Sequence, residues 1–499
     1  MSADTEFASQ DHLSGSLIDA FRSAAENSPR APALHLSTGV MTYSELAGAT
    51  FGLAGRILDR LGIGSEPVMV LNSQGVGAIT SMLAVLASGK FYVPLDPGAP
   101  KTHSRNVTRS TTPRLVLTEP QYADIATGLE IDQIMMIDPH DKRSTSTPPV
   151  EEIDPFSNAY VYFTSGSTGK PKGVVDSHRN VLHNVFRYTS TLDFDDSDRM
   201  SLIQSPDISA VVSTMFGALC NGASLCPTDV ANTDPQVVVS TLTTHEITVF
   251  HAVPALFRFL SEYGLGATES LRLIRLEGDR ATSNEVDVAH QNYHGDLVLV
   301  NGLGATECGL VRQFFVEPGE GVEPGPLPVG YSVPDIAVEV VDDKGHPVEP
   351  GAQGEVVVRS DFLASGYWAD DALTNTRFRV DSAGRRTYHT GDIGRLGSDD
   401  CLKLLGRTDD IVKIRGVPLH LGSVEALILS QREIKETMVT VDQTGSYDRL
   451  VARVTCVGDA VPDSAAIRRS ILEQFPTAAI PQVIHVDSLP STRAGKLER

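Results

Sequence analysis

YFTSGSTGKPKG, residues 162–173, is the stretch that decides the fold of this chain. It combines hydroxyl side chains, glycines and two lysines, so its backbone N–H groups, hydroxyl donors and positive charges can surround a phosphate group. An apolar run over residues 159–163 leads into it, and apolar side chains recur at helical spacing over residues 181–186. We therefore expect a strand, a glycine-rich loop and a helix in succession, with an anion-binding site at the loop.

The spacing of this stretch differs from that of the P-loop of nucleotide hydrolases. The P-loop places four residues between its glycines and then Gly-Lys-Ser/Thr. Here two residues separate Gly166 from Gly169, and Pro171 follows Lys170. This spacing excludes the P-loop, and a flexible Ser/Gly-rich surface loop is the structural alternative to an anion site.

Length and composition limit the class of protein. A chain of 499 residues with 41% hydrophobic residues predicts two or more globular domains. The net charge of -22 argues against nucleic acid and anionic membranes as partners, because such a surface repels both. Five cysteines without CxxC or zinc spacing indicate reduced thiols. The first residues lack a signal-peptide pattern and no apolar run approaches a membrane span, so we expect a cytoplasmic protein.

The order of periodic segments predicts an α/β fold. Apolar strand-like runs alternate with helix-like segments up to about residue 300, which favours a mainly parallel sheet covered by helices. Ser44 is placed to cap one of these helices. From about residue 325 the pattern changes to alternating antiparallel strands. We predict a core of sheets and flanking helices over 1–408, with a β-rich subdomain at about 325–408, and a small α+β domain over 409–499.

Eight sequence motifs then occur in a characteristic order. On these motifs the chain resembles the acyl-adenylate-forming superfamily, and within it the adenylation domains of nonribosomal peptide synthetases. The motifs are MTYSEL (41–46), LASGKFYVPLD (86–96), YFTSGSTGKPKG (162–173), NGLGATE (301–307), GEVVVRSDFLASGYW (354–368), YHTGDI (388–393), GRTDDIVKIRG (406–416) and AGKLER (494–499).

The resemblance implies that ATP activates a small carboxylic acid as an acyl-adenylate and that pyrophosphate leaves. Bringing two anions together requires positive charge and positioned donors. By resemblance Lys496 is catalytic and bridges the carboxylate and the α-phosphate, Thr306 contacts the α-phosphate, and Glu307 holds Mg2+. The residues implied to bind ATP are Thr164, Ser165, Gly166, Ser167, Thr168, Gly169, Lys170, Lys172, Gly304, Asp392 and Arg407, the last two at the ribose.

Each of these residues also has a structural interpretation when it is considered alone. Lys496 could be a solvated lysine near the end of the chain, and Asp392 a turn former. Arg407 could be an exposed linker charge, and Glu307 an acid at a helix N-terminus. The functional interpretation depends on the ordered set of motifs.

The resemblance also implies a hinge at Asp409, about which the small domain rotates between an adenylating and a thioester-forming pose. The implied acceptor is the phosphopantetheine thiol of an acyl or peptidyl carrier protein. Coenzyme A presents the same arm, so an acyl-CoA synthetase is the nearest alternative. A catalytically silent binding scaffold is the alternative from another class. The abrupt stop at AGKLER suggests a domain excised from, or docking to, something larger.

The substrate pocket departs from the family pattern. In members that activate amino acids an aspartate pairs with the α-ammonium group, and gap-free counting from Gly173 places Ser209 at that position. Asp207 lies two residues earlier and would share a face with Ser209 if the segment were extended. We favour a substrate without an ordinary α-amino group. The alternative is an amino acid whose ammonium group is bound by Asp207.

The other implied pocket residues include two charged ones. Arg275 and Glu277 stand two apart on a predicted strand and therefore point the same way. They could pair with each other, or Arg275 could meet a second polar or anionic group of the substrate. The full implied set besides Asp207 and Ser209 is Ala210, Ser213, Ala255, Arg275, Glu277, Gly302, Leu310 and Val311.

Overall fold

A computed structural model describes the protein over residues 15–138, 152–165, 171–293, 295–381, 383–414, 417–442, 449–458, 460–474 and 481–490. The chain divides into two compact units. Unit 1 comprises Met1–His251, Ala305–Leu310 and Asp361–Val380, and unit 2 comprises Ala252–Gly304, Val311–Ser360 and Asp381–Arg499.

The secondary structure alternates helices and strands in the first half of the chain and is richer in strands afterwards. The helices are α1 (Leu17–Asn27), α2 (Tyr43–Leu61), α3 (Val76–Ala87), α4 (Lys101–Thr111), α5 (Ala123–Thr127), α6 (His178–Thr191), α7 (Ala210–Leu219), α8 (Pro235–Thr244), α9 (Pro254–Glu262), α10 (Ser283–Asn292), α11 (Asp371–Arg377), α12 (Leu421–Leu429) and α13 (Ser464–Gln474). The strands are β1 (Pro32–Leu36), β2 (Gly39–Thr42), β3 (Pro67–Leu71), β4 (Phe91–Leu95), β5 (Leu115–Thr118), β6 (Gln133–Met136), β7 (Asn158–Ser165), β8 (Pro171–Ser177), β9 (Arg199–Leu202), β10 (Ser224–Pro227), β11 (Val249–Ala252), β12 (Leu273–Glu277), β13 (Val298–Ala305), β14 (Gly309–Val316), β15 (Tyr331–Ser332), β16 (Ala337–Val341), β17 (Gln353–Arg359), β18 (Gly366–Tyr367), β19 (Phe378–Val380), β20 (Arg386–Leu396), β21 (Leu402–Arg407), β22 (Ile411–Ile414), β23 (Val417–His420), β24 (Ile434–Asp442), β25 (Arg449–Cys456) and β26 (Gln482–His485).

Unit 1 contains a sheet in the order β18-β8-β7-β4-β3-β5-β6. Its strands from β7 to β6 pair in parallel, whereas β8 pairs antiparallel with both β7 and β18. The central strands are buried except at Pro67, the first residue of β3, as expected for nearly continuous apolar runs in a parallel sheet. Helix α3 is also buried on every side, which suits its mostly apolar, uncharged sequence.

A second group of strands in unit 1 runs in the order β11-β9-β10-β1-β2. Parallel pairing joins β11 to β9, β9 to β10 and β10 to β1, and β2 closes the group as an antiparallel hairpin partner of β1. Helix α7 connects β9 to β10 and is buried from Val211 to Leu219. This crossover brings the segment that contains Ser209 to the carboxyl end of β9.

Unit 2 contains the β-rich part of the chain. Strands β12 and β13 pair in parallel, and β16, β17, β20 and β21 form an antiparallel sheet. Farther along, β24 and β25 pair antiparallel and β26 joins β25 in parallel. Helices α12 and α13 pack with these last strands around a core that includes Val424, Ile428, Val439 and Ile471.

The predicted α/β class is confirmed, and two local predictions are wrong. A helix does not directly follow the glycine-rich stretch, because β8 intervenes and α6 begins only at His178. The cap of α2 is Thr42 rather than Ser44, because Thr42 and Glu45 form a reciprocal capping box. The domain boundary at 408/409 stays a prediction.

None of the helices in the described part of the chain combines the length and the hydropathy that a bilayer crossing requires.

Candidate active site

The glycine-rich stretch connects two antiparallel strands of unit 1. Thr164 lies opposite Lys172 and Ser165 opposite Pro171, and residues 166–170 between them are outside the described residues. The roles predicted for Gly166, Ser167, Thr168, Gly169 and Lys170 therefore stay predictions. Gly173 is required by packing, because a Cβ atom there would lie 2.8 Å from Val161 Cγ1. This close packing fixes the strand that carries Lys172.

Glu307 lies in a tight turn of unit 1 between β13 and β14, closed by the Cys308 amide and the Ala305 carbonyl at 3.1 Å. The alternative of an acid at a helix N-terminus is therefore wrong. Glu307 is buried, and its Oε1 accepts a hydrogen bond from Tyr367 Oη at 2.8 Å. Its carbonyl accepts a bond from the Ala364 amide at 2.9 Å. Both contacts come from the segment around β18.

Helix α6 holds the other side of this turn. The Leu310 amide donates to Asn184 Oδ1 at 2.9 Å, and the buried Arg187 donates to the carbonyls of Leu310 and Cys308 at 2.6 and 3.2 Å. Gly309 has φ +63°, and a Cβ atom at this position would collide with Asn184 Oδ1. Only glycine fits there, so the turn is fixed to the helix on both sides of residue 309.

Ser209 contacts the residue that is implied to bind the α-phosphate. Its Oγ lies 2.7 Å from Thr306 Oγ1, within hydrogen-bonding distance. Ser209 directly precedes α7 with φ -60° and ψ -18° and makes no side-chain cap bond. Its hydroxyl is therefore directed to Thr306 rather than to the helix backbone.

Asp207 lies in a turn, which corrects the idea that it shares a strand face with Ser209. The Ile208 amide donates to the Ser205 carbonyl at 3.0 Å, so the segment is not extended. Burial raises the pKa of Asp207 above its ordinary value, a hydrogen bond with Ser205 opposes this shift, and the Asp96 carboxylate adds to it. A carboxyl in this setting holds its proton more readily than a solvated aspartate does.

Arg275 and Glu277 on β12 form an ion pair in unit 2. Their spacing allowed two alternatives, and the first of them, an ion pair between the two side chains, is present. Glu277 lies opposite Gly302 on β13, where a Cβ atom would come within 3.6 Å of Glu277 Oε2. A direct contact between Arg275 and a substrate stays a prediction.

Asp392 and Arg407, the residues implied to bind ribose, lie opposite each other on β20 and β21 of unit 2. Arg407 Nη1 donates to Asp392 Oδ1 at 2.7 Å, and both side chains reach solvent. Neither the turn-former nor the linker interpretation applies, since both residues belong to strands.

The remaining predicted residues fall in several elements. Ala210 and Ser213 lie on α7, Leu310 is buried at the start of β14, and these three belong to unit 1. Within unit 2, Ala255 lies on α9, Gly304 on β13, and Val311 is buried on β14. Asp409 is exposed in the short helical turn Thr408–Asp410 that links β21 to β22. Lys496 lies outside the described residues.

The implied magnesium site has one side chain with the right chemistry. Mg2+ is usually held by one or two carboxylates together with substrate phosphates and water. Within the described residues no group of three or more His, Cys, Asp or Glu side chains could hold a metal. The single carboxylate of Glu307 fits an ion that takes its other ligands from phosphate and water.

A profile of the AMP-binding enzyme family matches residues 21–368. The chain is 29% identical over 488 residues to tyrocidine synthase 3 of Brevibacillus parabrevis, covering 96% of this chain and 7% of that protein. It superposes on Klebsiella oxytoca NpsA in complex with 3-hydroxyanthranilyl-AMSN with a TM-score of 0.85 and 22% identity, over 97% of this chain and 98% of NpsA. For the anthranilate CoA ligase AuaEII in complex with anthranoyl-AMP the TM-score is 0.82 at 20% identity, over 97% and 96% of the two chains.

The chain belongs to the AMP-binding enzyme family, whose profile covers most of its length. Within this family the chain is an AMP-forming ligase, and the curated proteins that it resembles include nonribosomal peptide synthetases such as tyrocidine synthase 3. The chain spans only 7% of the length of tyrocidine synthase 3. The two structural matches establish the fold.

Three residues at the site were not found from the sequence. Tyr367, Asn184 and Arg187 all contact the turn that carries Glu307 or the residues next to it. Tyr367 stands in a recognised motif, but a motif does not say which side chain it meets. Asn184 and Arg187 stand three apart on α6 and so share one helix face. This spacing is the sequence signal that could have indicated a shared contact.

Proposed function

We propose that this chain adenylates a small carboxylic acid that lacks an ordinary α-amino group and passes the acyl group to the phosphopantetheine thiol of a carrier protein. The acid and ATP would form an acyl-adenylate and pyrophosphate, and the thiol would then displace AMP. Because the two structural neighbours named above are described with anthranilyl and anthranoyl ligands, aromatic acids are the first class to test.

The observation that carries the proposal is the contact between Ser209 and Thr306. An α-ammonium group needs a buried carboxylate partner, since an unpaired buried charge is costly. At the position that gap-free counting assigns to that partner, this chain has Ser209, whose hydroxyl group lies 2.7 Å from Thr306 Oγ1. Asp207 is in a turn, and burial raises its pKa, which weakens it as a counter-ion.

The roles of the other residues are those that the family resemblance implies, and the chemistry of each side chain suits its role. Lys172 and Thr306 would neutralise and orient the phosphates, and Glu307 would supply a carboxylate oxygen to Mg2+. When bound, Mg2+ would offset phosphate charge. Asp392 would accept hydrogen bonds from the ribose hydroxyls, with Arg407 orienting its carboxylate. Lys496 would bridge the substrate carboxylate and the α-phosphate.

The decisive experiment is substrate-dependent ATP–pyrophosphate exchange with a panel of α-amino, β-amino, hydroxy, keto and aryl acids. We expect exchange with an aryl, hydroxy or keto acid and little with ordinary α-amino acids. Selective exchange with α-amino acids would overturn the proposal and make Asp207 the binder of the ammonium group. Absence of exchange with every acid would favour a silent scaffold.

A second measurement chooses between acceptors. The acid that supports exchange is offered with holo carrier protein or with coenzyme A, and thioester formation is followed by mass spectrometry. Faster loading of the carrier protein supports the proposal. Coenzyme A as the better acceptor would place the chain among acyl-CoA synthetases.

The catalytic role proposed for Lys496 can be tested separately. Lys496→Ala should slow adenylate formation greatly while the circular dichroism spectrum stays unchanged. Arg493→Ala, three residues earlier, is the control and should keep its activity. Full activity of the Lys496 variant would show that another group neutralises the reacting anions.

A further inference from the structure

One aromatic side chain contacts two of the residues to which the family resemblance gives separate roles. Tyr367 Oη donates to Glu307 Oε1 at 2.8 Å, and Lys172 Nζ lies 5.7 Å from the centre of the Tyr367 ring. Tyr367 is 5% exposed. The carboxylate implied to hold Mg2+ and the lysine next to the glycine-rich loop are thus connected through a single buried residue.

Backbone pairing fixes Tyr367 relative to the strand that carries Lys172. Strand β18 pairs antiparallel with β8, with Tyr367 opposite Val174, two residues from Lys172. The Trp368 amide donates to the Gly173 carbonyl at 2.7 Å. These bonds tie the tyrosine to the strand that carries the lysine.

Local packing fixes the direction of the side chain as well. Gly366 has φ +144°, and a Cβ atom there would lie 2.6 Å from Thr374 Cγ2, so only glycine fits. The Tyr367 amide donates to Thr374 Oγ1 at 2.9 Å. The ring packs on that of Phe378 in a T-shaped pair, with ring centres 5.7 Å apart. A side chain constrained on these sides has little freedom to leave Glu307.

We propose that Tyr367 is a positioning residue that orients the Glu307 carboxylate toward a phosphate-bound divalent cation and keeps the Lys172 ammonium group beside it. The inference rests on the proposed adenylation function. A hydrogen bond to a charged acceptor is short and directional, so the hydroxyl selects one orientation of the carboxylate. The electron-rich ring face attracts the ammonium group. Tyr367 thereby links the metal and the charge on the phosphates.

The two parts of the side chain can be removed in turn. Tyr367→Phe removes the bond to Glu307 and keeps the ring beside Lys172, whereas Tyr367→Leu removes both. Tyr43→Phe is the matched control, because Tyr43 is also buried in unit 1 and its Oη donates to the Ala223 carbonyl at 2.6 Å. Emission from Trp368, the only tryptophan in the chain, reports whether the segment keeps its structure in each variant.

The measurement is the affinity for ATP by calorimetry, once with excess Mg2+ and once with excess chelator. Tyr367→Phe should weaken binding of the magnesium complex about tenfold and leave metal-free ATP within about twofold of wild type. Tyr367→Leu should weaken binding of metal-free ATP as well, by about threefold. Tyr43→Phe should change neither affinity.

Two results would overturn the inference: wild-type affinities for Tyr367→Phe, or equal weakening of both forms of ATP, which is the mark of a merely structural residue. Failure of the proposed function is distinguishable, because the binding experiment needs no acid. A wild-type protein that binds ATP but exchanges pyrophosphate with no acid would refute the proposed function. The ATP affinities of the Tyr367 variants would still decide whether Tyr367 is a positioning residue. A wild-type protein that does not bind ATP would refute both.

Discussion

Unit 2 carries two arginine–carboxylate pairs that differ in their exposure to solvent. The side chains of Arg275 and Glu277 are 2% and 11% exposed, whereas those of Arg407 and Asp392 are 46% and 23% exposed. A buried pair cannot lose a partner cheaply, because the remaining charge stays in a low-dielectric setting. An exposed pair contributes little to stability and can exchange a partner for water or a ligand. The first pair is therefore expected to matter mainly for stability, whereas the second is free to test as a ligand-binding pair without a large loss of stability.

The largest expected effect comes from breaking the buried pair. Glu277→Gln should lower the free energy of unfolding by about 3–5 kcal/mol, because Arg275 loses its charged partner in the interior. Urea denaturation monitored by circular dichroism gives this value.

A double variant is the control for that prediction. Arg275→Met with Glu277→Leu replaces both charges by apolar side chains of similar size and should be close to wild type in stability. If Glu277→Gln were as stable as wild type and instead abolished acid binding, the pair would belong to the substrate site.

Asp176 is a buried carboxyl group whose hydrogen-bond partners are neutral, in contrast to the buried ion pair of Arg275 and Glu277. Asp176 accepts a bond from Tyr160 Oη at 3.2 Å and from the Ser177 amide at 3.0 Å, and burial raises its pKa to about 7. The folded protein therefore binds this proton more tightly than the unfolded chain does. Stability from this group is complete below about pH 4 and is lost as pH rises to about 7, at about 1.4 kcal/mol per pKa unit.

Asp176→Asn should remove this loss of stability between pH 4 and 7. The neighbouring His178 acts in the opposite direction, since burial lowers its pKa to about 4 and stability from it is lost as pH falls from about 6.5 to 4. Unfolding curves at several pH values should therefore show stability rising with pH in the Asp176 variant. An unchanged pH profile would contradict the shift at Asp176.

Breaking the exposed pair of Asp392 and Arg407 should weaken ATP binding without lowering the stability of the fold. Asp392→Ala should change the free energy of unfolding by less than about 1 kcal/mol and weaken ATP binding about tenfold. Asp381→Ala is the control, because Asp381 forms a comparable exposed pair with Arg385 at 2.9 Å and has no predicted role. Equal ATP affinities of the two variants would refute the ribose-binding role.

The smallest expected effect concerns a contact without formal charge. Ser209→Ala removes one hydrogen bond to Thr306 and should lower the rate of pyrophosphate exchange by about three- to tenfold. Ser190→Ala, which removes a hydroxyl bonded to the Phe186 carbonyl on α6, is the matched control. An unchanged rate in the Ser209 variant would show that Thr306 does not depend on this contact.

The sequence predicted the order of strands and helices well, because strands buried in a parallel sheet are continuous apolar runs that can be recognised in the sequence. It failed where a local signal was ambiguous. The residues before α6 read as the start of a helix, yet they form β8, because pairing with β7 and β18 outweighs local preference. The pairing of residues 366–367 with 174–175 is a long-range contact that no local pattern encodes.

In the candidate site, too, local patterns predicted contacts within one strand but not contacts between distant parts of the chain. The spacing of Arg275 and Glu277 suggested their pairing, since residues two apart on a strand share a face. Asp392 and Arg407 were proposed through motif resemblance and face each other across two strands. The hydroxyl contact of Ser209 depends on the turn at residues 205–209 and on a chain segment almost one hundred residues away, so it could not be deduced.

In the described part of the chain, β8 continues from the glycine-rich stretch and lies between it and α6, the next helix in sequence. Nucleotide sites built on a strand-to-helix turn use the partial positive charge of the helix N-terminus, which acts only within the first turn. Here α6 begins at His178, six residues after Lys172. The N-terminus of α6 therefore lies too far along the chain to supply that charge, and Lys172 is a charged side chain at the end of the stretch that the structure does describe. A protein engineer can therefore adjust anion affinity at this position one residue at a time, without unwinding a helix.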